Sequence, residues 1–279
     1  LKTFALLFTL TLSSLSAFAV HSYYPKAFNE SLSSLKDDQL KKELNNILVA
    51  SHQRNKDAED TLGCETVGVN GCYNQRSLGY DGARRILFGK IHLKNDGNGF
   101  YIQDVYCHKK FSGSAKVGPN AIPNQDKINC EHTWPQSKFS NLYPKDVQKA
   151  DLHHLFPTDS KANGIRGNFN FAEISYSNGR LDEINCDASK SGASTTSGSD
   201  DYFEPPTVHK GNVARALFYF SVRYKISIPR NEEEVLRRWN EIDPVDQEEL
   251  DRNETVYQAQ GNRNPFIDFP NLANSISRF

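Results

Sequence analysis

Past residue 19, no stretch of this 279-residue chain is long and apolar enough to cross a membrane. An excess of one charge is missing too: 33 Lys and Arg stand against 34 Asp and Glu, a net charge of -1. That excludes a protein that holds nucleic acid by uniform basicity, but not one with a local basic patch. The cysteines form no CxxC and the histidines no HxxxH, so the usual zinc-site spacings are absent. Residues 20–279 contain no internal repeat and no linker that splits them. What is present suffices for a core, since 37% of residues are hydrophobic and 11% aromatic, which argues against a disordered chain.

Residues 1–19 carry Lys2, an apolar run from Phe4 to Leu15, and Ala17-Phe18-Ala19. This pattern predicts a secretory signal cut after Ala19 and a mature chain in the periplasm or the medium. The cysteines agree with an oxidising compartment. Cys64 and Cys72 predict a short disulfide loop. Cys107, Cys130 and Cys186 allow one further pair and one free thiol.

Periodicity predicts a helix within residues 35–54, where Leu35, Leu40, Leu44, Ile47 and Leu48 recur at helical spacing. Phe100 to Cys107 and Ile128 to Trp134 read as strands, the second ended by Pro135. Residues 145–155 read as a short helix interrupted by Pro157, and Asp159 as the cap of a helix running to about residue 168. Residues 20–33 read as a loose segment and 187–201 as an exposed Ser/Gly/Asp-rich loop. A buried helix is expected over 211–225, an acidic one over 232–241, and another ending near Gln260. One α+β domain accounts for this order.

Two segments carry chemistry. Asn129 to Ser137 reads Asn-Cys-Glu-His-Thr-Trp-Pro-Gln-Ser. Glu131 is an oxygen ligand suited to a hard cation, and His132 a group able to take a proton from water near neutral pH. Adjacent strand residues point to opposite faces, so serving one site requires the backbone to bend, and Pro135 supplies a reason for a bend. Asp151 to Phe169 holds Asn163 and Arg166, three apart on one helix face. An amide oxygen suits Mg²⁺ or Ca²⁺, and a guanidinium suits a phosphate. His153 and His154 diverge on a helix, which favours packing over joint chelation.

Together these segments resemble the endonuclease I family: Cys-Glu-His-Thr-Trp-Pro-Gln-Ser, then Asp-Leu-His-x-Leu-x-Pro, then Asn-Gly-x-Arg-Gly-Asn-Phe. Family-like blocks also begin at Lys210 and Gln260, so the resemblance covers most of residues 80–272. It implies a secreted or periplasmic non-specific nuclease whose ββα-metal (His-Me finger) core is surrounded by helices. By position His132 matches the general base, and Glu131 and Asn163 match the protein ligands of one divalent ion. That ion is usually Mg²⁺, with Ca²⁺ or Mn²⁺ as alternatives. The substrate implied is DNA, with RNA as a second. The stretch from Thr133 to Ala150 is shorter than in well-known members and has no Arg, so Arg166 takes the phosphate-facing role by position. A non-catalytic nucleic-acid-binding protein on the same scaffold, or an extracellular metal-dependent hydrolase of another ester, are the competing readings. No heptad pattern demands a partner, so a monomer is expected.

Charge is unevenly spread. Residues 76–116 hold eight Lys/Arg against three acids, whereas 232–254 hold ten acids against three Arg. The basic stretch is expected near the Glu131/His132 groove and the acidic helices away from it.

Overall fold

The computed structural model describes residues 21–196 and 202–279; the expected export signal falls outside them. The elements that position the site are α1 (Asp37–Val49), α2 (Gly79–Ile86), β1 (Ile128–His132), α3 (Lys145–Lys149), β2 (Leu155–Asp159), α4 (Ser160–Arg166), α5 (Thr207–Tyr224), α6 (Arg230–Ile242) and α7 (Gln247–Gln260). With several small sheets besides, this is a mixed α+β domain, as expected. Among the described residues no helix is long and apolar enough to cross a membrane.

The main core forms around α5. Not only Val213, Leu217, Phe220 and Tyr224 but also Phe218 and Tyr219 are buried, so this helix is enclosed on all sides rather than on one stripe. α1 and α6 pack on it, contributing Leu40, Leu44, Leu236 and the fully buried Trp239. Asp37 and Asp38 open α1, where negative charge complements the amide dipoles. The segment expected to be loose is instead anchored here: Tyr23, Tyr24 and Phe28 are all buried, and the Tyr24 hydroxyl donates to Asp268 at 2.6 Å. Three aromatics within six residues gain more by burial than their ordering costs.

A smaller apolar cluster, with Ala83, Leu87, Ile128, Cys130 and Leu155, supports a β–β–α unit. β1 and β2 run antiparallel, pairing Cys130 with Pro157, Glu131 with Phe156 and His132 with Leu155. Pro157, read from sequence as an interruption, thus lies inside a strand. The pair is two-stranded, so a residue without an N–H is tolerated on an edge, and the Pro157 carbonyl still accepts from Val105 N at 2.9 Å. α4 follows at once. As expected, Asp159 caps it, its carboxylate accepting from Lys161 N and Ala162 N at 2.9 and 3.1 Å. Gly167, at φ +53°, ends it, a backbone region that favours glycine.

Cys64 pairs with Cys72 and Cys107 with Cys186, leaving Cys130 as a buried free thiol. The loop expected over 187–201 contains a strand, Lys190–Ser194. It pairs with Ile174–Ser177 and Tyr202–Glu204, and small residues with low strand propensity concealed it.

Candidate active site

β1, β2 and α4 bring Glu131, His132 and Asn163 to one cleft of about 400 Å³, whose walls also include Tyr80, Gln136 and Asn168. No bend is needed inside the strand. Glu131 and His132 leave the end of β1 in different directions, as adjacent strand residues must, and both still border the opening.

Glu131 is buried in the lining of the cleft. Its Oε1 accepts from the Tyr106 hydroxyl at 2.8 Å and from Arg166 Nη1 at 2.8 Å. Oε2 makes no hydrogen bond among the described residues. Burial raises the Glu131 pKa, while the Arg166 charge and the Tyr106 hydrogen bond oppose the rise. Asn163 stands on α4, its Nδ2 toward the Cys130 carbonyl at 3.5 Å. That orientation leaves the amide oxygen Oδ1 without a partner. A carboxylate oxygen and an amide oxygen, both uncommitted and on one cleft, are the donor set a hard divalent cation prefers. Among the described residues no three His, Cys, Asp or Glu side chains gather as a metal cluster, so the remaining ligands there would be water or substrate.

His132 Nε2 lies 3.2 Å from the Lys149 carbonyl at the end of α3. A carbonyl only accepts, so Nε2 carries the proton and Nδ1 the lone pair. Gln136 Nε2 approaches Nδ1 at 3.4 Å from the cleft wall. Burial, reinforced by His154, pushes the His132 pKa down to about 3, so the imidazole is neutral at physiological pH. The ring is held between Tyr80, His154 and Phe139, with centroids 5.6, 5.4 and 6.3 Å away.

Arg166 stands elsewhere than expected. It is 1% exposed and does not border the cleft. Nη1 bonds Glu131 and the His132 carbonyl at 2.8 and 2.9 Å, and Nη2 the Thr133 carbonyl at 2.7 Å. The guanidinium also covers the Phe171 ring at 4.5 Å. Every strong contact is to β1 and its extension, so this arginine holds the strand end and Glu131 rather than facing a phosphate. Being on the correct helix face did not reveal depth: α4 is short and Arg166 lies on its buried side.

His153 and His154 diverge, bonding the carbonyls of Asn262 and Gln148 at 3.1 and 2.8 Å. Burial pushes both pKa values down to about 4. As pH falls below 6.5 the unfolded chain takes up these protons and the native protein does not. Stability is therefore complete above pH 6.5 and is lost progressively toward pH 4. For these two groups the loss at pH 5.5 should reach about 1 kcal/mol each, visible as a lower melting temperature than at pH 7. Equal melting temperatures at the two pH values would refute this.

The arginines of the blocks beginning at Lys210 and Gln260 are engaged within the fold. Arg215 pairs with Glu249 at 2.5 Å, both buried, and the buried Arg263 pairs with the half-buried Asp268 at 2.8 Å. No residue of α6 or α7 borders the cleft, as the charge distribution suggested. Of the basic stretch only Tyr80 does, and Lys94 instead pairs with Glu248 of α7 at 3.1 Å. Tyr80 and Tyr106 are the site residues that sequence reading missed. Each meets its partner across tens of residues of chain, and no local pattern marks either.

The sequence model of the family described as Endonuclease I matches residues 37–271. An extracellular ribonuclease of Bacillus subtilis (strain 168) is 36% identical over 166 residues, covering 53% of this chain and 53% of the relative. An extracellular deoxyribonuclease of Aeromonas hydrophila is 30% identical over 189 residues, 58% of this chain and 78% of the relative. Endonuclease-1 of Buchnera aphidicola subsp. Acyrthosiphon pisum (strain APS) is 25% identical over 235 residues, 70% and 89%. The chain spans about half the length of the Bacillus relatives it matches.

Proposed function

From the premise that this chain belongs to the endonuclease I family, we propose that it is a secreted, divalent-metal-dependent endonuclease. It hydrolyses phosphodiester bonds in DNA, and in RNA, without reading sequence. The observation that carries this reading is the convergence of three side chains on one cleft: Glu131 and Asn163, each with an oxygen that makes no hydrogen bond among the described residues, and His132, whose Nδ1 meets only Gln136 Nε2, at 3.4 Å.

Glu131 and Asn163 would hold Mg²⁺. When bound, the ion offsets negative charge on the phosphate and on the leaving oxygen. His132 takes the proton from the attacking water at Nδ1, with Nε2–H held by the Lys149 carbonyl. Tyr106 and Arg166 hold Glu131 through Oε1 and leave Oε2 for the ion. Amides and hydroxyls dominate the walls, which suits phosphate and sugar contacts that carry no sequence information. Two disulfides fit an oxidising compartment, and the names of the relatives, extracellular in Bacillus and Aeromonas, support export.

The test is cleavage of plasmid DNA and of RNA by the purified protein in Mg²⁺ and in EDTA. Mg²⁺ should support cleavage of both, EDTA should lower it at least about a hundredfold, and excess Mg²⁺ should restore it. Cleavage that survives EDTA overturns the metal assignment. Absence of cleavage in Mg²⁺, Mn²⁺ and Ca²⁺ alike overturns the nuclease reading.

A further inference from the structure

One cation beside the cleft has no assigned work. Lys149, the last residue of α3, places Nζ 4.4 Å above the Tyr80 ring, and it has no carboxylate partner among the described residues. Arg84 also lies over that ring, at 5.0 Å, but it is 7% exposed and its Nη1 is engaged by Asp81 at 3.2 Å. Tyr80 forms part of the cleft wall and Lys149 does not. The ammonium is therefore not part of the wall around Glu131, His132 and Asn163 but sits against a residue that is. An aromatic face holds a cation without neutralising it, so the charge remains available to an anion.

We propose that Lys149, seated on Tyr80, forms a subsite for a backbone phosphate neighbouring the one that enters the cleft. This rests on the nuclease reading for its substrate and adds to it a preference for chains of several phosphates over a single diester. Lys149 would thus serve twice. Its carbonyl fixes the His132 tautomer, and its ammonium binds the flanking phosphate. Tyr80 is the positioning residue for the second task. The two tasks are separable, because Lys149→Ala removes the ammonium and keeps the carbonyl.

The experiment measures binding without cleavage. In EDTA and low salt, fluorescence anisotropy compares a labelled dinucleotide, which has one internucleotide phosphate, with an oligothymidylate of six residues. Wild type should bind the longer ligand more tightly, and Lys149→Ala should shrink that advantage about three- to tenfold. It should also lower the salt dependence for the longer ligand by about one counterion. Tyr80→Leu should reproduce much of the loss and Tyr80→Phe should retain the advantage, a pattern that loss of folding alone would not give. An unchanged ratio in Lys149→Ala, or equal weakening of both ligands, overturns the subsite. Because no cleavage is required, failure of the nuclease reading would appear separately, in the Mg²⁺ assay.

Discussion

His132→Ala is expected to lower cleavage of plasmid DNA by about a thousandfold, with little change in substrate affinity measured in EDTA. The size follows from what else borders the cleft. Gln136, Asn163 and Asn168 are amides with no useful basicity. Burial raises the Tyr80 pKa, and the Cys130 thiol is pushed up to about 12, so neither supplies a base near neutral pH. The nitrogen facing the cleft is already unprotonated and its tautomer already set, so removing it removes both the acceptor and its orientation. Added imidazole should restore part of the rate, since the deletion leaves space where the ring was. Retention of activity within tenfold would place the base elsewhere and dismantle the assignment. His132→Gln provides a second arm: it retains volume and one polar tip, and it should remain as slow as alanine if proton acceptance is the missing function.

The parts of this site that could be read from sequence share one property: their determinants are local. Glu131 and His132 are adjacent, Asp159 caps the helix that begins one residue later, and Asn163 lies four residues beyond. Cys64 and Cys72 are eight residues apart and did pair. Where long-range packing decides, the sequence was silent. Pro157 looks like an interruption unless one knows that its strand has a single partner and that its carbonyl is used by Val105. Tyr106 reaches Glu131 over 25 residues, and Arg166 over 35. From sequence Arg263 can equally line a nucleic-acid path or satisfy carbonyls in a tight turn, and Arg215 lies in a family-like block. Carboxylates more distant in sequence or hidden by a turn, Glu249 and Asp268, consume both. Arginine spacing therefore says which helix face a guanidinium occupies and nothing about its partner. Lys149, which has no carboxylate partner among the described residues, is a lysine that no motif singles out.

Arg166→Met is the change that best separates the buried role from the phosphate-facing one. Methionine keeps much of the volume over Phe171 and removes the charge together with bonds to Glu131, the His132 carbonyl and the Thr133 carbonyl. Glu131, 1% exposed, would then be a buried carboxylate with Tyr106 as its remaining partner. Losing one member of a buried ion pair costs about 3–5 kcal/mol, so urea unfolding should show a loss of that order. Because the same guanidinium ties the end of β1 to α4, the carboxylate and the Asn163 amide should also lose their relative placement, and Mg²⁺ affinity measured by calorimetry should fall at least about tenfold. Arg166→Lys should rescue little, since one ammonium cannot span a carboxylate and two carbonyls in the plane that the fork occupies. A cation that faces the phosphate would behave in the opposite way: stability and Mg²⁺ affinity would stay near wild type and only nucleic-acid affinity and turnover would drop. Finding that second pattern would return Arg166 to the cleft and overturn its placement as the residue that holds Glu131.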